Sequence, residues 1–474
     1  MIRCQIFSYT DGYGTYDKPF DVKGFPFNNW RLIHDSANPD FTLINPKLKI
    51  EKNKISQLTF DTTDETLINL INPFSMLYKN CRIMVVERFE SAENPNTTEL
   101  TNAGIIFKED NVGGDVGHWW HYITFVGRVV NVTATADKDG FCYYSVICND
   151  IREGLSASGH ISFPYHLAST AGYGTAFNGC NAAVAGFINL HNNTIDANDV
   201  LCPIMYYSID TSRHTNVTNE YQYDVNQETT NTILMERFVE RFGGELYIDY
   251  ANIESYNSIL GAWEIKLGET TNTKIPLKWV NQRGVLGQSF EYAKNIKSLR
   301  ITYNTDNCFV RLYPAGALRD DGSFVTLAQT TKYINTYHNS NAYTSVANAL
   351  FKQWDDITIA ENLDTTANAF ISESLTATKN YNVEVIDISV NSETPQNRIR
   401  CSNRAKIKHS QIGFDHGQTN DTVEIVKVTY DLSKPQNISV LLGKADKSDT
   451  MQINNDISQI QNNLTKLKIK ALGG

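Results

Sequence analysis

The sequence predicts a β-dominated α+β protein, with two small antiparallel β-barrel domains, two α+β domains and a short C-terminal helix. Three observations point there. At 474 residues the chain exceeds the length at which single hydrophobic cores stop growing, roughly 250 residues. Short runs of β-branched and aromatic residues recur, each ended by Asn, Asp or Gly. Apolar stripes at helical spacing occur at only a few places, and those places lie between strand runs.

Residues 1–40 hold aromatic and Gly/Asp clusters with little periodicity and read as an arm or a first hairpin. From Phe41, FTLINPKLKIEKNKISQLTFDT gives two strands around Asn53. The spacing of Ile55, Leu58 and Phe60 breaks strict alternation, which fits a bulge. Residues 67–74 read as a short helical turn ended by Pro73. CRIMVVER is a strand, and 91–118 is a polar loop. HYITFVGRVVNVTATADKDGFCYYSVICND is a hairpin turning at Asp137, Lys138, Asp139 and Gly140. Antiparallel strands at this spacing make the first small barrel.

The middle of the chain changes character. Val184, Phe187, Ile188 and His191 recur at helical spacing over 181–192. Gly186 costs that helix ~1 kcal/mol against Ala, so something packs closely there. A second helix is written in TNTILMERFVERFGG, where Leu234, Met235, Phe238, Val239 and Phe242 form one stripe. Gly243 or Gly244 supplies its left-handed cap, and Leu246, Tyr247 and Ile248 begin a strand.

FEYAKNIKSLRITYNTDNCFVRLYPAGA, residues 290–317, alternates, breaks at 304–307 and alternates again. It reads as two strands with a short connection, the entry into a second barrel. SFVTLAQTTKYINTYH gives two sheet edges. A helix over 365–375 has Asp364 as its N-cap. YNVEVIDISV, TVEIVKVTYDL and ISVLLGKAD are closing strands. In the tail, Ile457, Leu464 and Ala471 take a positions of a heptad and Ile453, Ile460 and Leu467 take d positions. Ile at both positions favours a trimeric coiled coil. The alternative is an amphipathic helix lying on its own subunit. The expected domains are therefore an arm and first barrel at 1–152, an α+β domain at 153–289, and a second barrel from 290–343 and 386–450. A small α+β insertion occupies 344–385, and a coiled-coil helix 451–474.

Composition narrows the function. The net charge is -10 and there is no basic tail, which argues against binding nucleic acid through its phosphates. An acidic surface lets DNA pass without sticking. The eight cysteines form no CxxC pair and read as reduced, buried and apolar. Cys142 and Cys148 share the parity of one strand and face the same side. No signal-peptide core and no bilayer-length apolar run is present, so synthesis in a bacterial cytoplasm without a membrane anchor is expected.

Chemical motifs are weak. His118 and His121 fall on opposite faces of a strand, so the run GHWWHY is better read as an aromatic contact surface around Trp119 and Trp120 than as a metal site. His409 and His416 read as surface histidines. Gly154 to Gly159 misses the hydrolase elbow by one position. Asp137-x-Asp139-Gly140 is a turn rather than a calcium loop. Asp355 and Asp356 read as solvated. No nucleophile, base and orienter come together, so no catalytic, cofactor-binding or metal-binding residue is expected.

The order of segments is more specific than any one of them. NPKLKIEKNKISQLTF is followed by INPFSMLYKNCRIMVVE, the FVGRVVNV hairpin and the FINLHNN helix. Next come ILMERFVERFGGELYI, NIKSLRITYNTDNCFVRLYPAGA, VEVIDISV and VEIVKVTYDLSKPQNISVLLGK. Over roughly 41–450 this resembles the structural N-terminal part of phage tail-tip proteins, the prophage tail or tail-associated lysin family. That family is similar in fold to the central baseplate hub of contractile phages. The resemblance implies a homotrimeric hub, a virion component whose barrels form a pseudo-six-fold ring on a hexameric distal tail protein. It implies contacts with the tape-measure protein and with receptor-binding proteins of the tip, a role in host cell attachment, and a channel that DNA crosses without specific binding. Many members continue into a lytic or receptor-binding region. The sequence ends at Gly474 just after the heptads, so lytic activity is not expected of it. A tail-associated cell-wall hydrolase and a carbohydrate-binding adhesin are the competing readings.

Overall fold

A computed structural model describes residues 2–9, 30–39, 43–63, 67–68, 82–91, 98, 105–109, 119–136, 142–156, 159–167, 175–193, 205–218, 221–257, 262–284, 286–291, 294–304, 311–319, 321–335, 349–355, 357–374, 378–391, 397–408 and 421–443. The first strands are β1 (Arg3–Tyr9), β2 (Trp30–Asp35), β3 (Ile44–Glu51), β4 (Gln57–Thr62), β5 (Arg82–Glu90), β6 (Lys108–Glu109), β7 (Trp119–Ala136) and β8 (Cys142–Asp150). All their pairings are antiparallel, as their sequence spacing implies.

β5 is buried along nearly its whole length because it separates two cores. Ile83 and Val85 face one core, together with Phe125 and Val129 of β7. Met84 and Val86 face the other, together with Ile123 and Val126. A strand covered on both faces reads as a continuous apolar run, and CRIMVVER is one. The second of these cores continues under the helices. α1 (Cys180–Asn193) packs Val184, Phe187 and Ile188 into it. α2 runs through Thr230–Thr232, a π turn at Ile233–Val239 and Glu240–Phe242. The wider π turn adds Ile233 to the expected stripe, since Ile233, Leu234 and Met235 are all buried. At Gly186 an added Cβ would lie 2.4 Å from the Phe177 ring, which is the close packing the glycine signals. Gly243 ends α2 at φ +76° and ψ −166°, a positive-φ conformation that suits glycine but not the left-handed helical cap expected.

Small sheets surround these helices. β9 (Gly159–His166) lies between β10 (Thr175–Ala176) and β12 (Gln222–Thr229). β16 (Ile275–Val280) lies between β11 (Tyr207–Asp210) and β13 (Glu245–Ile248). β14 (Glu254–Asn257) and β15 (Ala262–Ile265) form a hairpin.

The remaining strands are β17 (Leu286–Glu291), β18 (Ile296–Asn304), β19 (Arg311–Ala315), β20 (Ile334–Asn335), β21 (Ala349–Gln353), β22 (Thr378–Ile386), β23 (Arg404–Lys408), β24 (Asp421–Asp431) and β25 (Asn437–Leu442). β22, β24 and β25 join the first strands in one sheet of order β18-β22-β25-β24-β3-β4-β8-β7-β5-β1-β2. The seam is the β3–β24 ladder, where Lys49 stands opposite Thr429. The strands expected in two barrels thus form one hydrogen-bonded path, and among the described residues no ladder closes it.

Several local expectations change. The two strands of 290–317 do not pair with each other. β18 lies at the end of the large sheet, whereas β19 pairs with β20 and β21. Leu312 therefore packs in a separate core with Val325, Leu327, Ile357 and the helix α3 (Ala360–Ser374). α3 starts a turn before the expected cap at Asp364, because the stripe of Leu363, Ala367 and Ile371 begins there. Of the two sheet edges expected over 323–338, the described part is the two-residue β20 and a bridge between Leu318 and Phe324. The bulge in the first hairpin falls between Ile44 and Lys47 of β3 rather than in β4. Cys142 is exposed at the end of β8, while Cys148 on the same strand is buried. Trp120 is buried, and Trp119 is stacked under the guanidiniums of Arg3 and Arg88, so neither is an open aromatic surface.

Candidate functional site

Charged side chains inside apolar strands mark the candidate site. Glu87 sits on β5, on the face that carries Ile83 and Val85. Water is excluded there, so a carboxylate is tolerated only if charged donors meet it. Two arginines from the segment before β23 do so. Arg398 Nε donates to Glu87 Oε1 at 2.7 Å, and Arg400 Nη2 donates to Oε2 at 2.6 Å. Arg398 Nη1 reaches Asp387 Oδ2 at 3.1 Å and the Pro435 carbonyl at 2.8 Å. Asp387 Oδ2 also accepts from the Ile399 amide, and its Oδ1 accepts from the Ser389 amide and hydroxyl. All four charged groups are buried. Burial disfavours the Glu87 anion, but Arg398 and Arg400 outweigh it and hold the carboxyl below its usual range. Burial likewise pulls the Arg398 guanidinium down, and Glu87 and Asp387 more than reverse it. Beside them, burial pushes the Cys4 thiol up to about 12, which makes it an inert apolar filler.

A second charged centre lies where the β3–β4 turn meets β13. Asn53 holds φ +62° at that turn. Its amide donates to the Gly244 carbonyl at 3.1 Å, and its Oδ1 accepts from the Leu246 amide at 3.0 Å. Asp150, at the end of β8, accepts from the Ser56 and Arg152 amides at 2.5 and 2.9 Å. Arg152 Nη1 donates to the Leu246 carbonyl at 2.8 Å. Ser402 Oγ donates to Glu245 Oε1 at 2.5 Å, while Arg283 Nη1 stands 3.8 Å from the same oxygen. The Arg283 guanidinium lies 4.1 Å above the Tyr247 ring. Asn53, Asp150, Arg152, Glu245, Tyr247 and Arg283 line a cavity of about 60 Å³. Burial pushes the Glu245 carboxyl up, an effect that Arg283 only partly offsets, and Asp150 is raised for the same reason against Arg152. The backbone is tight here: a Cβ on Gly284, at φ +90°, would sit 2.1 Å from the Ser402 carbonyl oxygen.

A third link joins β7 to β14. His121 Nε2 and Glu254 Oε2 are 2.8 Å apart and fully buried, with the Trp263 ring edge-on to the imidazole. Among the described residues no group of three His, Cys, Asp or Glu is placed to hold a metal ion. The arrangement clamps distant segments together. It bonds β5 to 387–400, the first hairpin to the end of α2, and β13 to Ser402.

The residues singled out from the sequence lie mostly elsewhere. Ile453, Ile457, Ile460, Leu464, Leu467 and Ala471 fall outside the described residues, as do His118, His409, His416, Asp356 and the turn at 137–140. Gly154 and Ser156 belong to the 3-10 helix Ile151–Ser156, whose Leu155 is a core residue. Sequence reasoning missed Glu87, Asp387, Arg398, Arg400 and Glu245. Their signal was present as a lone Glu in an apolar strand run and as the alternation of RIRC, but nothing local says that they meet.

Asp387, Arg398 and Arg400 lie in a stretch that matches a known family, whereas Glu87 and Glu245 lie outside it. Residues 285–452 match the family described as prophage endopeptidase tail. The prophage tail protein gp18 from Listeria monocytogenes is similar at 10% identity and TM-score 0.48, covering 97% of this chain and 99% of that one. The tail protein from Neisseria meningitidis is similar at 8% identity and TM-score 0.51, covering 94% of this chain and 96% of that one. None of the curated proteins matches. The resemblance to phage tail proteins read from the order of segments therefore holds: by sequence over 285–452, and by fold over nearly the whole chain in the Neisseria protein.

Proposed function

We propose that the protein is a structural, non-enzymatic hub at the distal end of a phage tail or phage-like particle. It joins the tail tube to the tip and closes or gates the DNA channel. In this reading it is a homotrimer and a virion component. It sits on a hexameric distal tail protein and meets the tape-measure and receptor-binding proteins of the tip. The two strand sets joined at the β3–β24 seam are then the two barrels of the hub, and its α+β parts are 153–289 and the unit of β19, β20, β21 and α3, which takes in part of the expected 290–343 and leaves β22 to the large sheet. The coiled coil of 451–474 closes the three-fold axis.

The observation that carries the reading is the family match over 285–452, in a chain whose fold is that of a tail protein. The buried charged clamps support it, since a ring that transmits load between tube and tip needs parts that do not shear. The net charge of -10 suits a channel for DNA. Light scattering on the purified chain, alone and with a distal tail protein, tests the proposal. A trimer that binds the partner is expected. A monomer that ignores the partner at micromolar concentration overturns it.

The family's description keeps one second reading open, a cell-wall peptidase. Release of soluble fragments from Gram-positive cell walls, above that of the heat-denatured protein, would establish it.

A further inference from the structure

We propose that the outer face of the sheet β20-β19-β21 is a binding platform for a neutral pyranose sugar. Leu312 of β19, Ile334 of β20 and Leu350 of β21 turn to the core over α3. Side chains alternate along a strand, so Arg311, Tyr313, Asn335, Phe351 and Gln353 lie on the opposite face. Phe351 is 75% exposed there, the most exposed large apolar side chain among the described residues. The register sets Phe351 directly opposite Tyr313, and their rings stack at 4.7 Å and 13°. Tyr313 in turn meets the Tyr333 ring at 5.7 Å. One face of Phe351 is thus backed by a row of rings, and its other face is a fixed apolar plate open to solvent.

Size and charge choose the occupant. An open phenylalanine offers about 150–250 Å² at most. A stable protein interface takes about 800 Å² from each partner. The plate therefore suits one ring-sized ligand rather than a protein. β19, β20 and β21 hold no carboxylate to attract a cationic ligand. Arg311 is the one cation of these strands on this face. It lies 4.1 Å over the Tyr333 ring, and it donates from Nε to Asn335 Oδ1 at 3.0 Å and from Nη1 to the Tyr313 hydroxyl at 3.4 Å. Lys352 points to the other face, 4.7 Å over the Phe370 ring. One cation so tied is too few for a nucleic-acid strand, which needs a positive groove along its backbone. A neutral pyranose meets both conditions. Its axial C–H bonds make a flat apolar face for the negative face of the ring. Its rim hydroxyls can bond to the amide of Gln353, the next side chain on this face of β21, and to the Tyr313 hydroxyl.

Saturation-transfer NMR on the full chain, with the methyl glycosides of glucose, galactose, mannose and N-acetylglucosamine as probes, tests the assignment. Transfer to the ring C–H protons of at least one sugar is expected, reaching a plateau as that sugar is added. Phe351→Ala and Phe351→Leu should each weaken binding at least about fivefold, since leucine keeps the apolarity but not the flat plate. Phe351→Trp widens the plate and should bind at least as tightly as the parent. Phe351 lies outside the core, so thermal unfolding of the variants should match the parent's. If a truncation unfolds the chain, Phe351→Trp decides, and weaker binding by it overturns the proposal. Absence of saturable transfer to every probe overturns it too. So does a Phe351→Leu variant that binds as the parent does, or binding of oligothymidylate in place of the sugars, which would make the plate a base-stacking site. Sugar binding at this face is independent of trimer formation, so its absence leaves the hub reading standing.

Discussion

Glu87 and Glu245 are both buried carboxylates on β-strands, yet their surroundings push them in opposite directions. Glu87 receives charged donors on both oxygens, and one of the two arginines, Arg398, is itself held by Asp387 and the Pro435 carbonyl. Glu245 receives one hydroxyl, and its nearest guanidinium nitrogen stays at 3.8 Å. The first carboxyl is held low and the second is raised. Burial is nearly the same for both, so the difference lies in how many charged donors reach each one. A buried carboxylate stays charged when guanidiniums reach both its oxygens, and is pushed towards its protonated form when they do not.

The sharpest way to break the comparison is to remove Arg398, the cation that Glu87 and Asp387 share. Arg398→Ala leaves Glu87 and Asp387 facing each other's vicinity without it, and should cost about 3–5 kcal/mol in denaturant unfolding. Ser402→Ala takes the hydroxyl from Glu245 and should cost less, about 1–3 kcal/mol. Glu245→Gln should go the other way at neutral pH, a gain of roughly 1 kcal/mol or less, since a neutral amide still accepts from Ser402 and relieves the buried charge.

The pH dependence separates the two sites by sign. The contribution of Glu87 is present above its unfolded pKa, about 4.3, and is lost as pH falls through its lowered folded value. The contribution of Glu245 is fully present below about 4.3 and is lost as pH rises through its raised folded value. Chemical unfolding from pH 3 to 8 should therefore show a loss at the acid end that Glu87→Gln abolishes. It should also show a slope above pH 4.3 that Glu245→Gln flattens. If Glu245→Gln leaves that slope unchanged, the contrast between the sites is wrong.

Much of the fold was legible because its signals are local. The alternation of FVGRVVNV, the stripe of ILMERFVERF and the Gly-Gly stop each lie within a few residues, and they appear as β7, α2 and Gly243. The sheet they join was less legible. The ladder of β3 with β24 links positions nearly the whole chain apart, and either partner alternates equally well with any neighbour. The same limit hid the small sheet around Leu312. The break at 304–307 looks like a hairpin turn, but β19 finds its partners in β20 and β21 because its apolar face is needed over α3.

By itself, then, the sequence determined strands such as β5 and β7, the helices α1 and α2, the turn at Asn53 and, through the order of its segments, the resemblance to phage tail proteins. Tertiary structure decided which strands share a sheet and which charges share a core. Secondary structure follows from periodicities that a short window contains. Strand pairing, and the pKa of a buried carboxylate such as Glu87 or Glu245, depends on groups that only the folded chain brings within a few ångströms.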